Sequence, residues 1–285
     1  MTRAKLTALL GVCMLLLASG RARADGIDLW PDTGRGALAG RVGYYEGEQL
    51  SVVQRVVVPV FAGHHAFSER WSISAEGGFV FVHSDPEQGD SDHAFGVANP
   101  AGLAFFTPWP QARHQLRFGL GGSLPMSLIA RGPRGRLQRA GISNAAGMEG
   151  LGRMELWSPS RGAFLGTVQL RGPISDLSQY ELQLRPALPL AIVRRVDENR
   201  TDLFVPIVAG VRSRNARLEG GIRMIAVLTP TSNVDALQLS LSPHVRLHEG
   251  DGWLGLRVVA PLDEPLSGRR GPRLWGLFLE SGGSL

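Results

Sequence analysis

Apolar and polar residues alternate at period two along almost the whole of this chain, and few folds can use such a pattern. The plainest case is LQLSLSPHVRLHEGDGWLGLRVVAPL, residues 237–262. Leu237, Leu239 and Leu241 alternate with Gln238, Ser240 and Ser242, and Val245 and Leu247 with His244, Arg246 and His248. After Glu249-Gly250-Asp251-Gly252 the alternation resumes through Leu254, Leu256 and Val258. Successive side chains of a strand point to opposite faces, so each run is a ribbon with one apolar and one polar side. Twelve candidate strands can be marked: 36–46, 50–62, 70–83, 95–107, 114–128, 163–172, 179–193, 202–212, 217–228, 237–247, 253–262 and 273–281. The second and the last are apolar on both faces. Turn formers such as Glu46-Gly47-Glu48, Gly63-His64-His65 and Ser213-Arg214-Asn215 separate them. Only the link at about 130–162 is long, and its Ala145–Leu151 stretch reads as a short helix weakened by glycine. Helices do not alternate with the strands, which argues against a parallel α/β sheet.

The N-terminus limits where such ribbons act. Arg3 and Lys5 precede a 13-residue apolar run, Leu6 to Ala18, and Ala22-Arg23-Ala24 is a small-x-small site. That layout predicts a secretory signal peptide over 1–24, cleaved after Ala24. The run is short of the roughly 20 residues a membrane helix needs. The only Cys, Cys13, and the only Lys, Lys5, lie in this segment. An exported chain without Cys has neither a disulfide nor a thiolate metal site. Four of the 30 basic residues also leave with the signal, so 26 basic groups face 25 acidic ones. That balance gives no warrant for nucleic-acid binding.

A soluble sandwich hides its apolar faces between two sheets, whereas a membrane barrel turns them to lipid and keeps a polar lumen. Three features favour the barrel. Many runs hold 10 to 13 residues, and a tilted spanning strand needs about 9–11. The polar faces combine small residues with Arg, Glu and Gln, which suits a confined lumen. Aromatic residues also fall at the strand ends in two bands, as Trp and Tyr do at lipid–water boundaries. Trp71, Trp109, Tyr180 and Trp253 belong to the periplasmic band, and Tyr44, Tyr45 and Trp275 to the outer one. The reading is therefore an all-β protein, an antiparallel up-and-down transmembrane β-barrel of about 12 strands. It has a periplasmic leader at 25–35, a barrel at 36–285, and a long outer loop or plug at about 130–162.

In this pattern residues 25–285 resemble Gram-negative outer-membrane β-barrel proteins of the porin-like or transporter-like class. FGVANPAGLAFF, residues 95–106, is similar to an Asn-Pro strand opening in some transporter-like barrels. The resemblance implies an outer-membrane location, lipid and the barrel-assembly machinery as partners, and passive passage of a small solute. Such barrels usually close on an aromatic residue; this chain runs seven residues beyond Phe278, which is the candidate for that role. Alternative readings are a structural or surface-interaction barrel working through its outer loops, a barrel hydrolase, and a soluble periplasmic β protein.

The search for chemistry gives little. His244 and His248 share a face, but four residues along a strand is about 13 Å, too far to chelate one ion unaided. The chain has no G-x-S-x-G elbow, EF-hand spacing, phosphate loop or dinucleotide fingerprint. No catalytic residue, metal ligand or cofactor is assigned, and the reading is non-enzymatic. The inward charges are more informative. Arg41, Arg117, Arg171, Arg185, Arg223, Arg246 and Arg257 fall on predicted lumen faces, against Glu76, Glu181 and Glu219. Seven against three predicts a positive lumen that favours anionic or polar solutes.

Overall fold

A computed structural model describes residues 36–49, 52–86, 91–130, 132–191, 203–229, 237–262 and 275–284. The predicted signal peptide over 1–24 and the predicted leader over 25–35 lie outside them. The strand segments are β1 (Gly36–Gln49), β2 (Val52–Ala66), β3 (Trp71–Pro86), β4 (Asp92–Val97), β5 (Ala101–Phe106) and β6 (Gln115–Ser123). The helix α1 (Gly132–Met148) comes next. The chain then runs through β7 (Arg161–Pro173), β8 (Ser178–Leu184), β9 (Ala187–Ala191), β10 (Val205–Arg214), β11 (Leu218–Leu228), β12 (Leu237–Glu249), β13 (Gly252–Pro261) and β14 (Gly276–Ser284). Every pairing is antiparallel, and β14 returns to β1, with Ala37 opposite Ser284 and Tyr44 opposite Leu277. The sheet therefore closes on itself.

Fourteen segments make twelve staves, because two staves are interrupted. β4 and β5 both pair with β3, either side of Ala98-Asn99-Pro100. β8 and β9 both pair with β7, either side of Arg185-Pro186. Proline supplies no N–H to a ladder, so a break at each is the expected cost. Pro243 behaves differently. The alternation predicts a bulge or bend there, but Ile222 lies opposite Pro243 and the β12–β13 register is the same on both sides of it. Pro243 faces outward, and the ladder to β13 lacks pairs at 242 and 243 without gaining a residue.

The apolar faces point out. Leu237, Val245, Leu247, Leu254 and Leu256 are exposed, whereas Gln238, Ser240, Ser242, His244, Arg246 and His248 are buried inside. Phe118, Leu120, Leu182, Ile222 and Met224 extend the outer apolar surface. A soluble protein rarely shows so continuous an apolar surface, but lipid requires one. The described helix is not long and apolar enough to cross a membrane; in this fold strands do the crossing. Leu256 lies at the middle of β13, so Leu256→Arg should destabilise the inserted barrel by roughly 2–4 kcal/mol. Urea unfolding in lipid vesicles measures this, and a variant as stable as the parent would contradict an outward, lipid-facing Leu256.

Of the predicted boundary aromatics, Trp71, Trp109 and Trp275 are exposed, Tyr44 is just exposed, and Tyr180 is half-buried with its hydroxyl 2.9 Å from His114 Nδ1. Two predicted positions need correction. Tyr45 and Trp253 are both 4 % exposed and face the interior. Period two is the reason: Tyr44 and Leu254 point outward, so their neighbours must point inward. Phe278 is also fully buried in the interior, stacked against the Arg257 guanidinium at 4.7 Å.

Candidate functional site

The barrel interior is divided between an apolar and a polar wall. β2 and β3 turn Val56, Val58, Val60, Val80 and Val82 inward, all but one of them fully buried. This explains why β2 is apolar on both faces: one side meets lipid and the other meets the helix. α1 packs on β2, β3, β4 and β14. Pro133 occupies its first turn, where a missing N–H costs nothing. Small residues bring it close to the wall. A Cβ on Gly141 would collide with the Val82 side chain, so the glycines that weaken α1 in isolation permit its docking.

Beyond α1 the chain turns across the lumen, and residues 148–158 touch the wall around much of its circumference. Glu149 reaches Arg41 on β1 at 2.5 Å. Arg153 meets Glu76 on β3 at 2.7 Å, and Arg185, in the β8–β9 break, meets both Glu76 and Glu155 at 2.7 Å. Gly150 and Gly152 lie against Ser240, Val259 and Ile225 on the opposite wall. Leu156 and Trp157 are buried in the same apolar cluster as Phe105 and Leu165. The long link is therefore a plug, formed by α1 and the crossing segment.

Asn99 holds the crossing segment in place. It sits in the β4–β5 break, fully buried. Its Nδ2 donates to the carbonyls of Glu155 (3.1 Å), Ser158 (2.7 Å) and Arg161 (2.9 Å), and its Oδ1 accepts from Ser127 N at 2.8 Å. Its own backbone N donates to Leu156 O at 2.8 Å. Gln138 of α1 plays a similar part beyond β6, accepting from Ala130 N and donating to Leu128 O. Two side chains thus satisfy backbone groups where the ladder is lost. The plug also carries strain at both ends: Leu151 and Ser160 each have φ of 57°, which costs a non-glycine residue about 1–2 kcal/mol.

All ten charged residues predicted for the lumen face are buried or half-buried inside the barrel. They gather into groups. Glu219 is fully buried and accepts from Arg246 at 2.8 Å; His244 Nε2 and His248 Nε2 each stand 3.5 Å from its carboxylate. Arg246 and Arg257 share Glu280, at 3.3 and 2.7 Å. Arg223 is ion-paired with Glu181. Arg171 donates to Gln115 at 2.9 Å. Arg117 lies 3.6 Å over the Phe105 ring and donates to Ser72 at 2.7 Å. Among the described residues no group of three or more His, Cys, Asp or Glu is placed to hold a metal.

Residue patterns alone missed Glu149, Arg153 and Glu155, because a link has no strand parity. They also missed Glu280 on the doubly apolar last strand, although Phe278 and Glu280 share one face. Asn99 lay within the quoted Asn-Pro stretch without a role. Among the described residues seven Arg and five Glu are buried, and Arg171 and Glu181 of the predicted set are half-buried beside them.

Between the plug and the polar wall lies a small cavity of about 30 Å³. Five guanidiniums line it, those of Arg41, Arg153, Arg185, Arg223 and Arg257, with Glu149 the only carboxylate among its lining residues. Gln183 adds a neutral polar group.

No protein-family model matches the chain, and no curated protein matches it in sequence. Solved structures do match in fold. An outer-membrane channel from Pseudomonas putida F1 superposes with a TM-score of 0.63 at 10 % identity, over 92 % of this chain and 100 % of that one. The NanC porin superposes with a TM-score of 0.53 at 9 % identity, over 87 % and 100 %. This chain has the closed, twelve-stranded fold of outer-membrane channel and porin barrels, here carrying a helical plug.

Proposed function

We propose that the protein is an outer-membrane channel for a small polar or anionic solute, exported by a cleaved signal peptide over 1–24 and inserted by the barrel-assembly machinery. One observation carries the reading: an Arg-lined cavity lies inside a lipid-facing barrel, beside a helix and crossing segment that add no rung to its ladders. Eight-stranded barrels are filled by side chains, and barrels of 16 to 18 strands leave an open channel. Twelve strands fall between, with room that a plug fills in part. The inward Arg set, with Glu76, Glu181 and Glu219, lines the path, and α1 with 149–158 gates it. The likeness to channel barrels at the level of fold agrees with this.

In planar bilayers the full chain is expected to show small, infrequent conductance steps, with heat-modifiable migration on a gel verifying that the barrel is folded. A folded, inserted protein that passes no ions, with its plug or with the plug removed, would overturn the channel reading.

A further inference from the structure

We infer that the plug closes the barrel with its own carboxylate standing in for a ligand, and that a small oxyanion, a carboxylate or a phosphate, takes that place at Arg41 and releases the plug. This deepens the channel reading and rests on it, naming the solute class that the same cavity recognises.

The arginines lining the cavity are anchored in two ways. Arg223 and Arg257 are held by wall residues Glu181 and Glu280, Arg185 is shared between Glu76 of the wall and Glu155 of the plug, and Arg153 belongs to the plug itself. Arg41 is the wall arginine whose carboxylate partner is on the plug alone, Glu149. A guanidinium carries five N–H donors, and one carboxylate does not use them all. Arg41 and Arg185 are 3 % and 4 % exposed, and the Nε of each finds no acceptor among the described residues. Both line the cavity. Donors buried in this way favour an occupant rich in acceptors, and planar guanidiniums match carboxylate and phosphate oxygens in geometry as well as charge.

The charge balance points the same way. The plug contributes Glu149, Glu155 and Arg153 to the buried interior. When it leaves, the buried wall keeps six Arg against three Glu: Glu76, Glu219 and Glu280. Arg134, Arg136 and Arg139 of α1 are exposed, so it is the buried part of the plug alone, two carboxylates against one guanidinium, that acts as counter-anion to the wall, and a dissolved anion competes for the place of Glu149. Binding shifts such an equilibrium only by its preference for one state, and here the preference arises because Glu149 and the anion cannot both occupy Arg41.

The test uses a thiol placed under the plug. Cys13 is the only cysteine of the chain, so Ala145→Cys in a Cys13→Ser background carries one thiol, at a position that is fully buried. Alkylation by a polyethylene-glycol maleimide is followed in lipid-free detergent, with inorganic phosphate exchanged for chloride at equal ionic strength. Phosphate is expected to speed alkylation about tenfold, a modest population shift. Glu149→Gln should be fast without phosphate, and Arg41→Gln fast and indifferent to it. Equal rates in phosphate and chloride overturn the inference, as does a Glu149→Gln protein as slow as its parent. The phosphate response needs no change at Arg41 or Glu149, so it decides the matter even if those variants misfold. Alkylation reads plug release without reading flux. A phosphate response in a barrel that conducts nothing would sink the channel reading alone, and conductance without a response would sink only the oxyanion.

Discussion

Replacing residues 132–158 with a short Gly-Ser linker should open the barrel, raising single-channel conductance roughly tenfold or more, because a constricted pore gains its full cross-section. The twelve staves do not depend on the plug for closure. Their ladders run from β1 through β14 and back, and the removed residues add no rung. What is lost is the cover over Val56, Val58, Val60, Val80 and Val82, together with the partners of Arg41, Glu76 and Arg185. The shortened protein should therefore keep its heat-modifiable migration while unfolding at lower urea. A folded deletion variant with parental conductance would mean that the constriction lies elsewhere, in the Glu219–Arg246–Glu280 group or the pairs around Arg117.

The barrel could be read from the residues because a lipid-facing strand must keep period two over its whole length. All twelve candidate strands overlap staves of the structure, and the alternation of 237–262 gives the inward and outward faces residue by residue. The aromatic bands were less legible. Tyr45 and Trp253 stand near strand ends, as boundary aromatics do, but their parity turns both inward. Trp253 instead lies 4.6 Å from the Arg246 guanidinium.

The long link at about 130–162 is legible as an outer loop or a plug, but its helix is Gly132–Met148 and not the Ala145–Leu151 stretch that the sequence suggests. The helix turns Arg134, Arg136, Arg139 and Ser143 outward, but the side it docks is mostly small, Gly141, Ala145 and Ala146 beside Ile142 and Met148. A docking side with so few large apolar residues leaves only a weak periodic signal. The ion pairs across the lumen are silent, since each joins residues far apart in sequence, such as Arg41 and Glu149, 108 positions apart. Counted on one set, the seven predicted Arg and three predicted Glu together with Arg153, Glu149, Glu155 and Glu280 make eight Arg against six Glu among the described residues.

Asn99→Ala should loosen the plug by about 2 kcal/mol, or roughly thirtyfold in its docking equilibrium, at about 1 kcal/mol for each of the two side-chain hydrogen bonds that reach Glu155 and Ser158. The loss is not confined to the bonds removed. The carbonyls of Glu155, Ser158 and Arg161 and the N–H of Ser127 all lose a partner, and alanine offers none of them a replacement. Strain adds to the effect, since Leu151 and Ser160 keep left-handed backbone angles only while the segment between them is docked. Asn99→Asp is expected to be no milder, because a carboxylate would face three carbonyl oxygens. Trypsin provides the measurement: Arg153, on the crossing segment of the plug, is 8 % exposed and ion-paired to Glu76 of the wall, so cleavage after it reports undocking, whereas cleavage at the exposed Arg134 and Arg136 does not. Faster cutting after Arg153 in a barrel that still migrates as folded is the expected result. If Arg153 stays as protected as in the parent, Asn99 is not the latch, and the ion pairs to Arg41 and Glu76 hold the plug without it.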